Sequence, residues 1–221
     1  MTIQAFVFDC GGVLLHDGDL TAYSVWEARL GLQSGELAGR LWRGEPWTLA
    51  EVGQLTDEQY WQQVGTQLGL CQSGDVASLR ADLWDTWVVD AQVLALIDRV
   101  RQRYRVAMLS NATDALETLL AERYGVADRF EVLGNSARLG VAKPNPAAFQ
   151  AVLTGLGVKA EEVVFVDDRA ENVAAAAALG MHVIWFVDAR ELERQLEVYL
   201  SSALSRNGHT SSSDSADDGD D

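Results

Sequence analysis

Three short, unbroken apolar runs in this chain each stop at polar groups. Phe6-Val7-Phe8 ends in Asp9, Val106-Ala107-Met108-Leu109 ends in Ser110-Asn111, and Val163-Val164-Phe165-Val166 ends in Asp167-Asp168. Runs without apolar/polar alternation mark strands buried on both faces, as in a parallel sheet covered by helices. From Ala91 onward such runs alternate with helical periods. The pattern predicts a helix from Ala91 to about Tyr104, a strand over 105–109, a helix over 112–124 and a strand over 130–133. It continues with a helix over 146–156, a strand over 162–166, a helix ending at Leu179 and a strand over 182–187. Alternation of this kind predicts an α/β fold whose parallel strands are joined by right-handed crossovers. Pro146 suits a first helical turn, and Gly125, Gly157 and Gly180 suit helix ends. The alanines from Ala174 to Ala178 let one helix lie close to the sheet.

Residues 20–88 follow a different period. Leu37/Leu41 and Trp61/Val64/Leu68 have helical spacing and no convincing strand intervenes, so the segment reads as a helical insertion. It holds six of the seven tryptophans, at positions 26, 42, 47, 61, 84 and 87. The predicted division is an α/β core over 1–15 and 89–200, a helical insertion over 16–88, and a tail over 201–221. The tail is rich in Ser, Asp and Gly without apolar anchors and is expected to be disordered.

Composition narrows the partners. The 221 residues suit one domain with an inserted subdomain. The formal charge is −16, of which residues 201–221 supply −4 through Arg206 and five aspartates, leaving −12 on the rest. A nucleic-acid backbone demands a basic footprint, so nucleic-acid binding is not expected. With two cysteines, Cys10 and Cys71, and no charged-then-apolar leader, neither a disulfide framework nor a secretory signal is expected, and the expected compartment is the cytoplasm. No apolar stretch approaches the roughly 18 residues that span a bilayer, so no membrane partner is expected.

Ligands of an open parallel sheet bind outside the carboxyl ends of its strands, where Asp9, Asp167 and Asp168 are therefore expected to meet. Three carboxylates in one crevice raise each other's pKa unless a cation lies among them, and an all-oxygen donor set suits Mg²⁺. Gly11 and Gly12 permit a tight turn and close approach of backbone amides to an anion, although Asp followed by Gly is also an ordinary turn. Ser110-Asn111 before a helix reads either as a cap or as a holder of phosphoryl oxygen. Lys143, in a polar loop between Gly140 and Pro144, reads by itself as solvated surface. Asp167-Asp168 is harder to dismiss, because adjacent carboxylates after a buried strand carry an electrostatic cost that a cation relieves. Cys10 points to the opposite side of its strand from Asp9 and reads as packing.

Taken together, Phe-Asp9-Cys-Gly-Gly-Val-Leu, Ser110-Asn111 after Met-Leu, Lys143-Pro144, and Val166-Asp167-Asp168 followed by Asn172 and Leu179-Gly180-Met181 resemble the four motifs of the haloacid dehalogenase superfamily. The resemblance covers residues 4 to about 190, with each motif after the expected element. It implies a three-layer, Rossmann-like α/β core with strand order 5-4-1-2-3, and makes the insertion a helical cap over the active site. It also implies two-step phosphoryl transfer from a small phosphorylated substrate: Asp9 attacks phosphorus, and water then hydrolyses the aspartyl-phosphate. Mg²⁺ would sit on Asp9, the Gly11 carbonyl and Asp168, with Asp167 acting through a bound water, and Lys143 would supply further positive charge. Ser110 and the Asn111 amide would orient the phosphoryl group, assisted by the Gly11 and Gly12 amides.

One position departs from the family pattern. Most phosphatases of the superfamily carry a second aspartate, the general acid, two residues after the nucleophile, and here that residue is Gly11. Losing a general acid costs about 10²- to 10⁴-fold, and less with a good leaving group. The Phe-Asp-x-Gly-Gly-Val pattern with a later Asp-Asp also resembles a bacterial subgroup that hydrolyses sugar phosphates such as glucose 1-phosphate. The expected activity is thus Mg²⁺-dependent hydrolysis of small phosphorylated metabolites, sugar phosphates foremost. His16, Asp17, Asp19 or a cap residue would supply the proton unless each is merely a solvated loop residue. The cap tryptophans read as core, with one or two facing the cleft, and Arg40 and Arg43 read as a solvated face or as contacts to an anionic substrate. Two other readings stand beside this one. A dehalogenase is disfavoured by the paired Asp167-Asp168, and a non-catalytic binding protein of the same fold draws its support from Gly11.

Overall fold

The computed structural model describes residues 2–70 and 72–207. The chain opens with β1 (Ala5–Phe8), turns through the glycine loop into β2 (Leu15–Asp17), and enters five helices. These are α1 (Thr21–Leu30), α2 (Glu36–Trp42), α3 (Glu45–Ala50), α4 (Asp57–Gln67) and α5 (Ser73–Thr86). The second half runs β3 (Trp87–Val89), α6 (Ala91–Val100), β4 (Arg105–Ser110) and α7 (Leu116–Thr118), which a π-helical turn extends over Leu119–Arg123. It continues with β5 (Val132–Asn135), α8 (Ser136–Leu139), α9 (Pro146–Leu156), β6 (Val163–Asp167), α10 (Ala170–Ala178), β7 (His182–Trp185) and α11 (Ala189–Asn207).

The main sheet is β5-β4-β1-β6-β7, every pair parallel. Counting only these five strands along the chain, the order is consistent with the expected 5-4-1-2-3. Side chains alternate between the two faces of each strand. Phe6, Phe8, Met108, Val164 and Val166 pack against Val93 and Ile97 of α6 and Leu192 and Leu196 of α11. Val7, Ala107, Leu109 and Phe165 pack against Phe149 and Val152 of α9 and Ala176 of α10. Both faces are thus buried, which is why the strands read as unbroken apolar runs. The register aligns Phe8 with both Met108 and Val166. One residue further on, Asp9 and Asp167 therefore emerge side by side at the same sheet edge, and the Asp9 N–H donates to the Val166 carbonyl at 2.9 Å.

The helical insertion has a core of its own, built from Trp26, Leu37, Leu41, Tyr60, Trp61, Leu79 and Leu83. Its two ends are joined by the antiparallel pair β2–β3, in which Leu15 faces Val89 and Asp17 faces Trp87. Sequence periodicity missed this pair because three-residue strands are too short to display a period. Asp57, the first residue of α4, docks the insertion to the core. Its N–H donates to Asp114 Oδ1 at 2.7 Å, its Oδ1 accepts from Thr113 Oγ1 at 2.7 Å, and its Oδ2 lies 2.5 Å from Arg80. Gly53 supports the same junction: its φ is +73°, and a Cβ there would lie 2.2 Å from the Ala137 carbonyl oxygen.

Several boundaries differ from expectation. The helix predicted to Tyr104 ends at Val100, and the one predicted over 112–124 begins only at Leu116, because residues 111–115 form the loop that meets α4. Helix α11 continues to Asn207, so residues 201–207 of the expected tail are helical, and residues 208–221 lie outside the described residues. Among the described residues no helix is long and apolar enough to cross a membrane.

Asp57→Ala should weaken the junction, because it leaves Thr113 and Arg80 without their shared carboxylate, although the backbone N–H at 57 still donates to Asp114. Arg80 is partly solvated, which reduces the loss, and a cost of about 2 kcal/mol is expected in urea denaturation followed by tryptophan fluorescence. A change below about 0.5 kcal/mol would mean that apolar contacts alone hold the insertion.

Candidate active site

The sheet edge brings the three predicted aspartates together: Asp9, Asp167 and Asp168 each offer an oxygen within 4.8 Å of the others. Asp9 is buried at the end of β1, its Oδ1 accepting from the Cys10 N–H at 2.7 Å. Asp167 is fully buried, and its carboxylate is saturated with donors. It accepts from Lys143 Nζ at 2.7 Å, the Arg169 N–H at 2.8 Å, and Asn172 Nδ2 at 3.0 and 3.1 Å. Asp168 is exposed toward the cavity and packs over Gly12. A Cβ at Gly12 would lie 2.4 Å from Asp168 Oδ2, and the backbone there has φ +83°, so both space and conformation demand glycine.

Lys143 is where tertiary structure most overrides the bland reading. The side chain expected at a solvated surface is 1% exposed and lies 2.7 Å from Asp9 Oδ1 as well as 2.7 Å from Asp167 Oδ2. Burial alone would lower its pKa, but the two carboxylates together outweigh burial and hold it above the ordinary value. Asn111 pins the loop that carries it: its Nδ2 donates to the Lys143 carbonyl at 2.9 Å, and its Oδ1 accepts from the Lys143 N–H at 2.8 Å. The Asn111 side chain therefore positions the lysine, a role its place in the sequence did not disclose. Ser110 ends β4 and, like Asn111, lines the cavity above the aspartates.

Desolvation is the chief cause that lifts Asp9 to about 7, with the Asp167 charge adding to it, while Lys143 and the Cys10 N–H pull the other way. Asp168 is raised too, by desolvation first and Asp167 second. Burial pushes the Cys10 thiol upward, in keeping with its packing role. The carboxylates thus remain underneutralised even with Lys143 between two of them. The donor set is entirely oxygen, which fits a hard divalent cation such as Mg²⁺.

The place of the missing second aspartate lies in van der Waals contact with the insertion side. A Cβ on Gly11 would lie 3.5 Å from the six-membered ring of Trp87, which β3 holds opposite Asp17. Of the three alternative proton donors near the loop, Asp17 lines the cavity and accepts from Thr86 Oγ1 at 3.0 Å. Asp19 instead caps Thr21, and His16 is exposed beside Asp90. Arg43 lines the cavity, whereas Arg40 pairs with Glu36 on an exposed face. Five of the six insertion tryptophans, at 42, 47, 61, 84 and 87, line the same cavity of about 520 Å³, more than the one or two expected.

A parallel α/β sheet with a strand-end acidic cluster and a buried lysine, closed over by a helical insertion, defines a class of hydrolases. A family model described as haloacid dehalogenase-like hydrolase matches residues 3–180, and the chain belongs to that family. It is 30% identical over 189 residues to the sesquiterpene phosphatase astK of Aspergillus oryzae, covering 85% of this chain and 92% of that protein. It is 28% identical to drimenol cyclase drtB of Aspergillus calidoustus over 92% of this chain. The chain spans 38% of the length of that cyclase and 19% of the mouse acyl-CoA dehydrogenase family member 10, to which it is also similar. Among solved structures, a haloacid dehalogenase family enzyme of Bacteroides thetaiotaomicron, bt-2542, in complex with magnesium and inorganic phosphate has a TM-score of 0.69 and 25% identity. The match covers 82% of this chain and 93% of that one.

The raised Asp9 has a thermodynamic consequence. A carboxyl whose folded pKa lies above its unfolded value adds stability below the unfolded value, near 4, and loses it as pH rises through about 7. In chelator, the melting temperature of the wild type is expected to fall relative to Asp9→Asn between pH 4.5 and 7.5, and added Mg²⁺ should recover more at the upper pH. Parallel curves for the two proteins would show that Asp9 is not held protonated in the metal-free fold.

Proposed function

We propose that this hydrolase is a Mg²⁺-dependent phosphatase acting on phosphate monoesters through covalent transfer to Asp9. The observation that carries the proposal is the arrangement of Asp9, Asp168 and Asp167 within 4.8 Å, with the Lys143 ammonium 2.7 Å from the first and last. Asp9, the Gly11 carbonyl and Asp168 would hold the ion. Asp167, already saturated with protein donors, would act through a water, and its chief task is to fix Lys143. When bound, Mg²⁺ supplies charge neutralisation for the phosphoryl oxygens.

The chain's own groups then divide the work. An Asp9 oxygen attacks phosphorus, the bond from phosphorus to the ester oxygen breaks, and the departing oxygen takes a proton from water. Water next attacks the phosphorus of the aspartyl-phosphate, releasing phosphate and restoring the carboxylate. Lys143 keeps Asp9 oriented and offers positive charge to the transferring group, and Ser110 with the amides of Asn111, Gly11 and Gly12 positions the remaining oxygens. The helical insertion acts as a cap that shields these steps from bulk water. The dehalogenase alternative draws no support from Asp168, whose exposed carboxylate completes a cation site that displacement at carbon does not need. The sugar-phosphate reading rests on the resemblance of the nucleophile loop, and the leaving group is decided by the cavity above it.

Asp9→Asn should reduce Mg²⁺-dependent hydrolysis of p-nitrophenyl phosphate to background while circular dichroism and melting at low pH stay near wild type. Wild-type turnover in this variant would overturn the covalent mechanism. Asp168→Ala should be more damaging than Asp167→Asn in the Mg²⁺ concentration needed for half-maximal rate, and the reverse order would exchange their roles.

With glycine in place of the usual acid, kcat/KM should climb steeply as leaving-group pKa falls. Gly11→Asp should lower activity rather than restore an acid, because it adds a fourth negative charge beside Asp9, Asp167 and Asp168. A flat leaving-group dependence, or a faster Gly11→Asp enzyme on alkyl phosphates, would refute this account of the loop.

A further inference from the structure

We infer, resting on the phosphatase reading above, that the alcohol half of the substrate is a large apolar one, an isoprenoid- or alkyl-type chain of roughly ten to fifteen carbons seated against the insertion's tryptophans. The cavity wall combines a polar group of side chains around Asp9 with a large share of aromatic and aliphatic surface. The polar group comprises Asp9, Lys143, Asp168, Ser110 and Asn111. An aromatic row starts against the nucleophile loop, where Trp87 abuts Gly11, and continues through Trp42, whose ring lies 6.1 Å from that of Trp87, to Trp47 at 5.1 Å from Trp42. Leu116, Leu119 and Tyr124, from the α7 region, supply apolar wall from the core side of the same cavity.

These tryptophans are not simply the core of the insertion. Trp26, which is core, is buried and donates its indole N–H to Asp82. Trp42, Trp47, Trp84 and Trp87 are only partly buried, and the indole nitrogens of Trp84 and Trp87 have no partner. Indole ring surface on a cavity wall suits a ligand with apolar or unsaturated surface.

A polyol would need acceptors for its hydroxyl protons, and on this wall Asp57 already meets Thr113 and Arg80 while one Asp17 oxygen accepts from Thr86. Arg43, the remaining charge on the insertion side of the cavity, is exposed and can extend into solvent. A volume of about 520 Å³ lies well inside the range of sites that engulf a whole small ligand.

The test is phosphate release in Mg²⁺ from a series of n-alkyl monophosphates, butyl to dodecyl, kept below their micelle concentrations, together with farnesyl phosphate and glucose 1-phosphate. Each buried methylene favours binding about fourfold at most, so kcat/KM is expected to rise at least about 100-fold along the series, with farnesyl phosphate far above glucose 1-phosphate. A flat series, or preference for glucose 1-phosphate, overturns the inference while p-nitrophenyl phosphate turnover keeps the phosphatase reading. Failure of p-nitrophenyl phosphate as well overturns both.

Leu119→Gln, which puts an amide into the wall, should lower the ratio of kcat/KM for dodecyl to p-nitrophenyl phosphate about tenfold in a protein with wild-type circular dichroism. An unchanged ratio would remove the chain from this wall. Quenching of tryptophan fluorescence by dodecylphosphonate, stronger than by butylphosphonate, provides a readout that needs no turnover, and equal quenching by the two would count against the seat.

Discussion

The constraint on which the rest of this structure depends is the electrostatic cost of gathering Asp9, Asp167 and Asp168 at one sheet edge. The Lys143 ammonium, buried between two of them, offsets much of that cost. Burying a lone ammonium or a lone carboxylate is prohibitive, whereas Lys143 and Asp167 are tolerated together because the ammonium pairs with both Asp9 and Asp167 and the Asp167 carboxylate accepts further donors. The supporting shell follows from this need. Asn172 and the Arg169 N–H complete the bonds of Asp167, and Asn111 clasps the backbone of Lys143 on both sides. What the shell leaves unneutralised is the charge of Asp9 and Asp168, whose raised pKa values mark the place where a cation belongs.

The insertion solves a different problem. A sheet edge carrying such a cluster is open to water, and the helices α1 to α5 cover it by way of a short antiparallel pair, β2–β3, and a polar dock at Asp57. Trp87 sits where that pair meets the glycine loop after Asp9, and its ring lies in van der Waals contact with the Gly11 position.

The two ends of the chemistry differed in how far they could be read along the chain. Asp9 and Asp167-Asp168 were legible because a strand buried on both faces has an unmistakable composition, and its end in a parallel sheet is the ligand side. The alternating helices and strands of the core were legible for the same reason. Lys143 was legible only through the likeness of its surroundings to a family motif, since nothing in a Gly-to-Pro loop says that its lysine will be buried. Asp57 carried no signal beyond its position after a helix cap, and Trp87 none beyond being one tryptophan among six.

Sequence by itself determined the parallel core, the glycines of the loop after Asp9 and the carboxylates at the strand ends, because each depends on neighbours only a few residues away. Tertiary structure alone decided that Lys143 joins Asp9 to Asp167 across 134 and 24 residues, that Asp57 finds Thr113, and that five tryptophans share a cavity with Asp9. Those pairings are made when separate elements pack, and they are chosen by the balance of buried charge and buried ring surface over the whole molecule, which no local window of the chain contains.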